Sequence, residues 1–288
     1  TNKNNLFLSE SSTLYTQKRG GVGNKAKLEA GEYVIHSEAI ESNEELAFFT
    51  VNGDFYHYPA AALTVGEKIA IEALFGISNE RIVAISSFNK RKASKNIVFF
   101  TKGGLVKKSL LSEYNLKRSG SLKAINLDPN DEIASILFID DEDVGIMTEL
   151  GNFIRITTSD IRAIGRVAKG VRGIKLNDGD AVCCAYPISK DTQYIISVTN
   201  TGLFKKTPIS EFTVQGKNTK GAKIHKLNDG DWMADFISLA NETEILVAST
   251  RSTIKISIND VPTLSRVAQG AKAIKMNDTD KIIGISLY

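Results

Sequence analysis

Several things that enzymes and membrane proteins usually carry are scarce in this chain. Its 288 residues include two cysteines, Cys183 and Cys184, which are neighbours. Adjacent cysteines rarely bridge to each other, and these two have no metal-ligand spacing. They read as small apolar strand residues of a protein kept in a reducing cytoplasm. The longest apolar runs, around Ile195-Ile196 and Ile282-Ile283, fall far short of the roughly eighteen residues of a membrane span. The opening TNKNN is polar and does not read as a secretory leader. The first residue is Thr1 rather than methionine, so the chain reads as a piece excised from a longer protein, or as a processed one. His36, His57 and His225 stand far apart, with no partner at ligand spacing. There is no serine elbow, no phosphate-cradling P-loop and no paired carboxylates in a catalytic setting. Neither a catalytic residue nor a metal site is expected. The net charge of +3, from 36 basic and 33 acidic residues, says little about nucleic acid by itself.

Repetition is what the chain has in quantity. FFTVNGDFYHY from Phe48, FFTKGGLVKKS from Phe99, GIMTELGNFIRIT from Gly145 and ISVTNTGLFKKT from Ile196 share one pattern. Each is an apolar run, a threonine, and a glycine three residues later. The threonines are Thr50, Thr101, Thr148 and Thr199; a fifth copy, LVASTRSTIKIS, puts Thr250 in register without the glycine. A second element follows in phase: GSLKAINL from Gly120, GVRGIKL from Gly170, GAKIHKL from Gly221 and GAKAIKM from Gly270. Behind each comes DPND, NDGD, NDGD or NDTD, ending at Asp131, Asp180, Asp231 and Asp280. A fourth signal runs from Ser109 to Tyr114 and is echoed from Thr207 to Phe212, with Ser-Glu-aromatic at the end of both. The first three recur at a period of about fifty residues, and the fourth returns two periods on, in phase with them.

Strand-forming runs on either side of a glycine turn predict a hairpin. NDGD predicts a turn, because Asn and Asp bond the local backbone and Gly accepts a positive φ. The run behind it, such as Ala181 to Ala185 or Lys281 to Ser286, predicts a third strand, and the glycine-led element a fourth. No stretch keeps a 3.6-residue apolar period over twelve residues. The chain is therefore predicted to be all-β, with one propeller blade of about four strands per repeat. Five clear copies and a degenerate region from Thr1 to about Glu45 predict a six-bladed β-propeller or pinwheel, a single domain over residues 1–288.

The cations keep the same phase. One set follows the glycine turn: Lys107, Lys108, Arg155, Lys205, Lys206 and Lys255. Another precedes the NDGD turn: Lys117, Arg118, Lys123, Arg166, Lys169, Arg172, Lys175, Lys217, Lys220, Lys223, Lys226, Arg266, Lys272 and Lys275. A single lysine usually just solvates a strand face. Equivalent positions of successive blades lie at equivalent places around a ring, so repeated cations predict a basic rim, to which Lys25 also contributes. Such a rim suits a phosphate backbone, with little reading of base sequence. The NDGD turns lack the closing glutamate of a calcium loop, so no metal is expected there.

One segment remains, QKRGGVG, from Gln17 to Gly23. Its glycines do not suit a helix interior or a regular strand. It resembles the gyrase box, Q-R-R-G-G-[RK]-G, of the C-terminal domain of the gyrase A subunit. The repeats, with T-x-x-G-x-h-x-K followed by R-x-x-x-G-h-[KR]-x-I-[KN]-L, are similar to the blades of that domain. The related topoisomerase IV A subunit carries a similar domain with a degraded or missing box. The resemblance covers essentially the whole chain, best from Asn96 onward and least from Gly31 to Ala84. It implies a six-bladed pinwheel whose blades exchange a strand, wrapping double-stranded DNA on its rim for presentation to a cleavage core. Gln17, Lys18, Arg19, Gly20, Gly21 and Gly23 would then hold DNA near the junction of the first and last blades, with the glycines letting backbone approach phosphate. The resemblance also implies partners, namely the ATPase B subunit with the rest of the A subunit, in an A2B2 enzyme. ATP and Mg would belong to those other parts, and no cofactor to this domain. Lys18 departs from the family arginine, and Val22 stands where a cation is usual.

A protein-interaction propeller is the competing function. It would offer no reason for cations in phase, and the chain lacks Trp-Asp pairs; Trp232 follows Asp231 in the opposite order. A propeller glycosidase would need converging carboxylates, whereas the acids here gather in turns.

Overall fold

The computed structural model describes residues 1–9, 28–36, 38–78, 80–87, 94–114 and 121–287. The apolar runs become antiparallel hairpins, and the hairpins become blades. Blade 1 is built from β2 (Glu45–Thr50), β3 (Asp54–Pro59) and β5 (Ile82–Ser87). Blade 2 has β6 (Asn96–Thr101), β7 (Leu105–Leu110) and β9 (Ile133–Phe138). Blade 3 has β10 (Asp143–Thr148), β11 (Asn152–Thr157) and β13 (Val182–Ile188). Blade 4 has β14 (Tyr194–Thr199), β15 (Leu203–Pro208) and β17 (Met233–Leu239). Blade 5 has β18 (Glu244–Ser249), β19 (Thr253–Ser257) and β21 (Ile282–Leu287). The one α-helix among the described residues, α1 (Ile71–Phe75), is a single turn or so in the connection before β5.

Each glycine-led element crosses to the blade before it. β8 (Ser121–Lys123), β12 (Val171–Arg172), β16 (Ala222–Lys223) and β20 (Ala271–Lys272) pair with β3, β7, β11 and β15. Blades 1 to 4 thus have four strands, the outermost supplied by the following repeat, and blade 5 has three. The strand exchange expected of a pinwheel is present. Among the described residues the blades number five, not the six expected. From the N-terminal region the described residues contribute only β1 (Asn5–Phe7), which pairs with β4 (Lys68–Ala70) as a two-stranded sheet.

The hairpin signature has a local cause. Thr50, Thr101, Thr148 and Thr199 each accept, through Oγ1, the backbone N–H four residues on, at 3.1 Å. Their carbonyls accept the N–H of Gly53, Gly104, Gly151 and Gly202 at 3.0–3.1 Å. Those glycines sit at φ of 78–87°, which a three-residue hairpin with a left-handed last residue requires. A Cβ on Gly53 or Gly104 would also stand 2.6 or 2.7 Å from the carbonyl oxygen of Ile125 or Ile174 in the exchanged segment. Glycine therefore shapes the turn and seats the incoming strand. In blade 5 the threonine's place is taken by Ser249, not Thr250. Ser249 N–H donates to the Ser252 carbonyl at 2.8 Å and its Oγ accepts from Ser252 N–H at 3.0 Å, which closes a two-residue turn with no need for glycine.

The core is divided among the spaces between blades. One cluster joins Phe49 and Phe55 to Ile97, Phe99 and Tyr114; the next joins Val98 and Phe100 to Val144 and Ile154. Two more join Met147 and Phe153 to Ile195 and Phe236, and Ile196 and Phe204 to Ile245 and Ile258. Burying one such phenylalanine contributes about 2–3 kcal/mol, so adjacent blades hold each other. β5, β9, β13, β17 and β21 pack on one another in turn and form the inner end of each sheet. The exchanged strands lie at the opposite, outer end.

Each inner strand bulges opposite the threonine or serine. In β13 the bulge falls at Cys183, which brings its Sγ to 3.5 Å from that of Cys184. Cys184 is buried in the apolar cluster, the small strand residue that was expected.

Candidate nucleic-acid interface

The outer strands carry one cation each at the same register. Lys123 lies opposite Asp54, Arg172 opposite Leu105, Lys223 opposite Asn152 and Lys272 opposite Leu203. Arg172, Lys223 and Lys272 are exposed. Three residues on, Lys175, Lys226 and Lys275 are exposed as well. The loop before each outer strand adds Arg166 and Lys169, Lys217 and Lys220, or Arg266. The fold thus gathers the described members of this second set of cations along the outer ends of blades 1 to 4.

Some of these side chains have protein partners. Lys123 bridges to Asp54 at 3.1 Å, and Lys169 is paired with Asp128. Arg166 donates a guanidinium N–H to the Lys123 carbonyl. Lys217 and Lys223 donate to the carbonyls of Asp160 and Leu150 at 3.0 and 2.7 Å. Exposed pairs of this kind are worth at most about 1 kcal/mol, so a phosphate could replace them. Among the described residues Arg172, Lys220, Arg266 and Lys272 have no hydrogen-bond or ion-pair partner for their charged ends.

The first set sits elsewhere. Lys107 and Lys205 have no exposed surface, Lys108 is buried, and Lys206 is half-buried. Phase alone grouped them with the rim; their place is the packing between blades. Lys107 Nζ donates to the Ala124 carbonyl at 2.8 Å, to Tyr114 Oη at 3.1 Å and to the Arg166 carbonyl. Lys205 Nζ donates to three carbonyls, of Ser265, Arg266 and Ala268, at 2.7, 2.8 and 2.9 Å. Lys108 and Lys206 donate to the carbonyls of Thr158 and Ile258 at 2.7 and 3.1 Å. Arg155 and Lys255 pair with Asp143 and Glu244 at 2.7 and 2.9 Å. Burial pulls Lys107 and Lys205 down to about 8, with Arg166 lowering Lys107 further and Glu113 and Glu211 opposing the change. The signal missed in the sequence is the pairing of these lysines with the Ser-Glu-aromatic segment just behind them.

Gln17, Lys18, Arg19, Gly20, Gly21, Gly23, Lys25, Lys117 and Arg118 lie outside the described residues.

The model of the DNA gyrase C-terminal domain, beta-propeller, matches residues 95–140, 143–182, 193–239 and 245–287, one segment for each of blades 2 to 5. This chain belongs to that family. The DNA gyrase A subunit of Helicobacter pylori (strain ATCC 700392 / 26695) is 32% identical over 94% of the chain, and that of Mycolicibacterium smegmatis (strain ATCC 700084 / mc(2)155) is 29% identical over the same share. The chain spans about a third of the length of these relatives, 34% and 33%. A solved DNA gyrase A C-terminal domain superposes with a TM-score of 0.80 at 21% identity, covering 99% of this chain and 97% of that one. The C-terminal domain of DNA topoisomerase IV gives 0.77 at 21% identity, over 85% of this chain and 79% of its own. At that identity the two structures speak for the fold. In this gyrase-type domain each family segment begins within a residue of the first strand of its blade and contains the outer strand that crosses to the blade before it.

Proposed function

We propose that this domain binds double-stranded DNA along the outer ends of its blades, largely independently of base sequence, and wraps it. In this reading the wrapped segment is presented to the cleavage core of the enzyme for negative supercoiling. The observation that carries it is the common register of Lys123, Arg172, Lys223 and Lys272 on four successive outer strands. Backbone charge is met at each blade by a cation on rigid β-structure, and the loop cations flank it. Lysine and arginine contacts of this kind release counterions and follow phosphate rather than bases. The box from Gln17 to Gly23 would extend the track. An ATPase B subunit, with the rest of the A subunit, would supply the chemistry with ATP and Mg, in an A2B2 assembly in the cytoplasm. No helix among the described residues is long and apolar enough to cross a membrane.

Nicked circular DNA, ligated in the presence of the chain and then freed of protein, tests this. Wrapping shifts the linking-number distribution towards positive values. Salt-sensitive binding without a shift would instead mark a DNA guide of the topoisomerase IV kind. Absence of binding at low salt would leave the protein-interaction propeller.

A further inference from the structure

The segment from Ser109 to Tyr114 and its echo from Thr207 to Phe212 are not explained by DNA contacts. Each holds a glutamate directed at the neighbouring blade. Glu113 Oε2 accepts the backbone N–H of Arg166 at 2.7 Å, and the Arg166 carbonyl accepts from Lys107 Nζ. Glu211 Oε2 accepts the N–H of Arg266 at 2.9 Å, and the Arg266 carbonyl accepts from Lys205 Nζ at 2.8 Å. The same arginine position of two loops is thus gripped on both sides by the blade before it. The grip reaches over more than fifty residues of chain and uses an ammonium with no exposed surface. A buried ammonium is costly to place, and an apolar side chain of similar volume would fill the same space. The loop tips close further with Ala168 N–H on the Gly165 carbonyl at 3.0 Å and Ala268 N–H on the Ser265 carbonyl at 3.1 Å.

We propose that Lys107 with Glu113, and Lys205 with Glu211, are positioning clamps that hold the loops of Arg166 and Arg266 in the shape that binds the DNA phosphates. None of the four touches DNA. They set the backbone of the residues that do, so ordering of each loop is completed before DNA arrives. This inference rests on the DNA-binding function proposed above.

The test is the affinity of the 288-residue chain for a short duplex across a salt series, beside amide hydrogen exchange of residues 163–170 and 263–270. Lys107→Met and Lys205→Met should each weaken binding by about tenfold, the effect of a buried hydrogen-bond set left unpaired. They should leave the slope of log affinity against log salt unchanged, since no phosphate contact is lost. Arg266→Ala should weaken binding and lower that slope by about one contact. The glutamates give the sharper contrast and leave the buried packing untouched. Removing an acid beside a DNA surface strengthens binding if charge alone acts, whereas Glu113→Ala and Glu211→Ala should weaken it and speed exchange of the loop amides. A Lys107→Met slope that falls like that of Arg266→Ala would make the lysine itself a phosphate contact and overturn the clamp. Tighter binding by the glutamate variants, or faster exchange at unchanged affinity, would overturn it too. Failure of the unaltered chain to bind would sink the DNA function instead. In that case unchanged loop exchange in the variants would separately sink the clamp.

Discussion

Two loops of this domain are held by interior lysines of the preceding blade, and the loop between them does without one. Residues 163–170 and 263–270 hang on Lys107 and Lys205. In blade 3 the equivalent hairpin position is Ile154, fully buried, and the loop of residues 213–221 is held by backbone hydrogen bonds and its own side chains, among them Gln215 N–H on the Arg155 carbonyl at 2.8 Å. Asn218 takes the left-handed conformation at φ 67°, and its N–H donates to the Gly173 carbonyl at 2.8 Å. Thr219 Oγ1 donates to Gln215 Oε1 at 3.0 Å. In both kinds of loop the glycine before the outer strand closes against the neighbouring hairpin. A Cβ would meet Val106 O at 2.7 Å from Gly170, Phe153 O at 2.3 Å from Gly221 and Phe204 O at 2.8 Å from Gly270. The repeats therefore preserve a loop's placement, not the residues that secure it. One solution adds a buried ammonium; the other relies on backbone hydrogen bonds and turn chemistry.

The largest effect should come from exchanging the solutions. Ile154→Lys would bury an ammonium opposite a loop built without it, and should destabilise by about 4 kcal/mol in urea unfolding. A loss below about 1 kcal/mol would mean that the carbonyls are available in blade 3 also, and that the lysines are interchangeable filler. Next is the feature both loops share. Gly221→Ala combines a positive φ with a backbone collision, and should cost about 3 kcal/mol by the same measurement.

The third prediction concerns His225, beneath the Lys205 loop. Its ring bonds the Gln269 carbonyl through Nε2, so that nitrogen carries the proton, and Nδ1 faces Ser197 Oγ at 3.2 Å. Burial, and then the Lys205 charge, hold it down to about 4. Between pH 4 and about 6.5 the unfolded chain binds this proton and the folded chain does not, so stability rises with pH across that window and falls as acid is added. The swing is at most about 3 kcal/mol. In Lys205→Met the His225 midpoint, followed by NMR, should move up and the acid sensitivity should shrink. An unmoved midpoint would show that the two groups do not sense each other. The smallest change is Asn218→Ala, at about 1 kcal/mol, confined to the loop of residues 213–221 and without effect on loop 263–270 by hydrogen exchange.

Much of this was legible in the sequence. The period, the hairpins, the turns and the cations before each NDGD follow from residue spacing, because those features are local. The T-x-x-G signal was legible for the same reason, except in blade 5, where Ser249 makes a shorter turn. Three features were not legible. The outer strand pairs with a hairpin of the preceding repeat, and periodicity is the same whichever repeat a strand joins. The number of blades rested on the N-terminal region, whose described residues supply only β1 towards a blade. Lys107 and Lys205 looked like surface residues, because a lysine in a strand is read as solvated unless its partners, here carbonyls sixty residues away, are known. The spacing could have warned of it: lysine and Ser-Glu-aromatic occur together in blades 2 and 4, while blade 3 has Ile154 with Ser159-Asp160-Ile161.

The strand exchange also sets a timetable. A ribosome making this chain delivers β3 by residue 59, but its outer neighbour β8 ends at residue 123. At 5–20 residues per second, roughly 3 to 13 s pass with that edge open. Blades 2 to 4 repeat the delay, so the nascent protein trails one unfinished sheet. The last strand to arrive at blades 1 to 4 is the one that carries the cation, and the basic outer edge is assembled only as each following repeat is made.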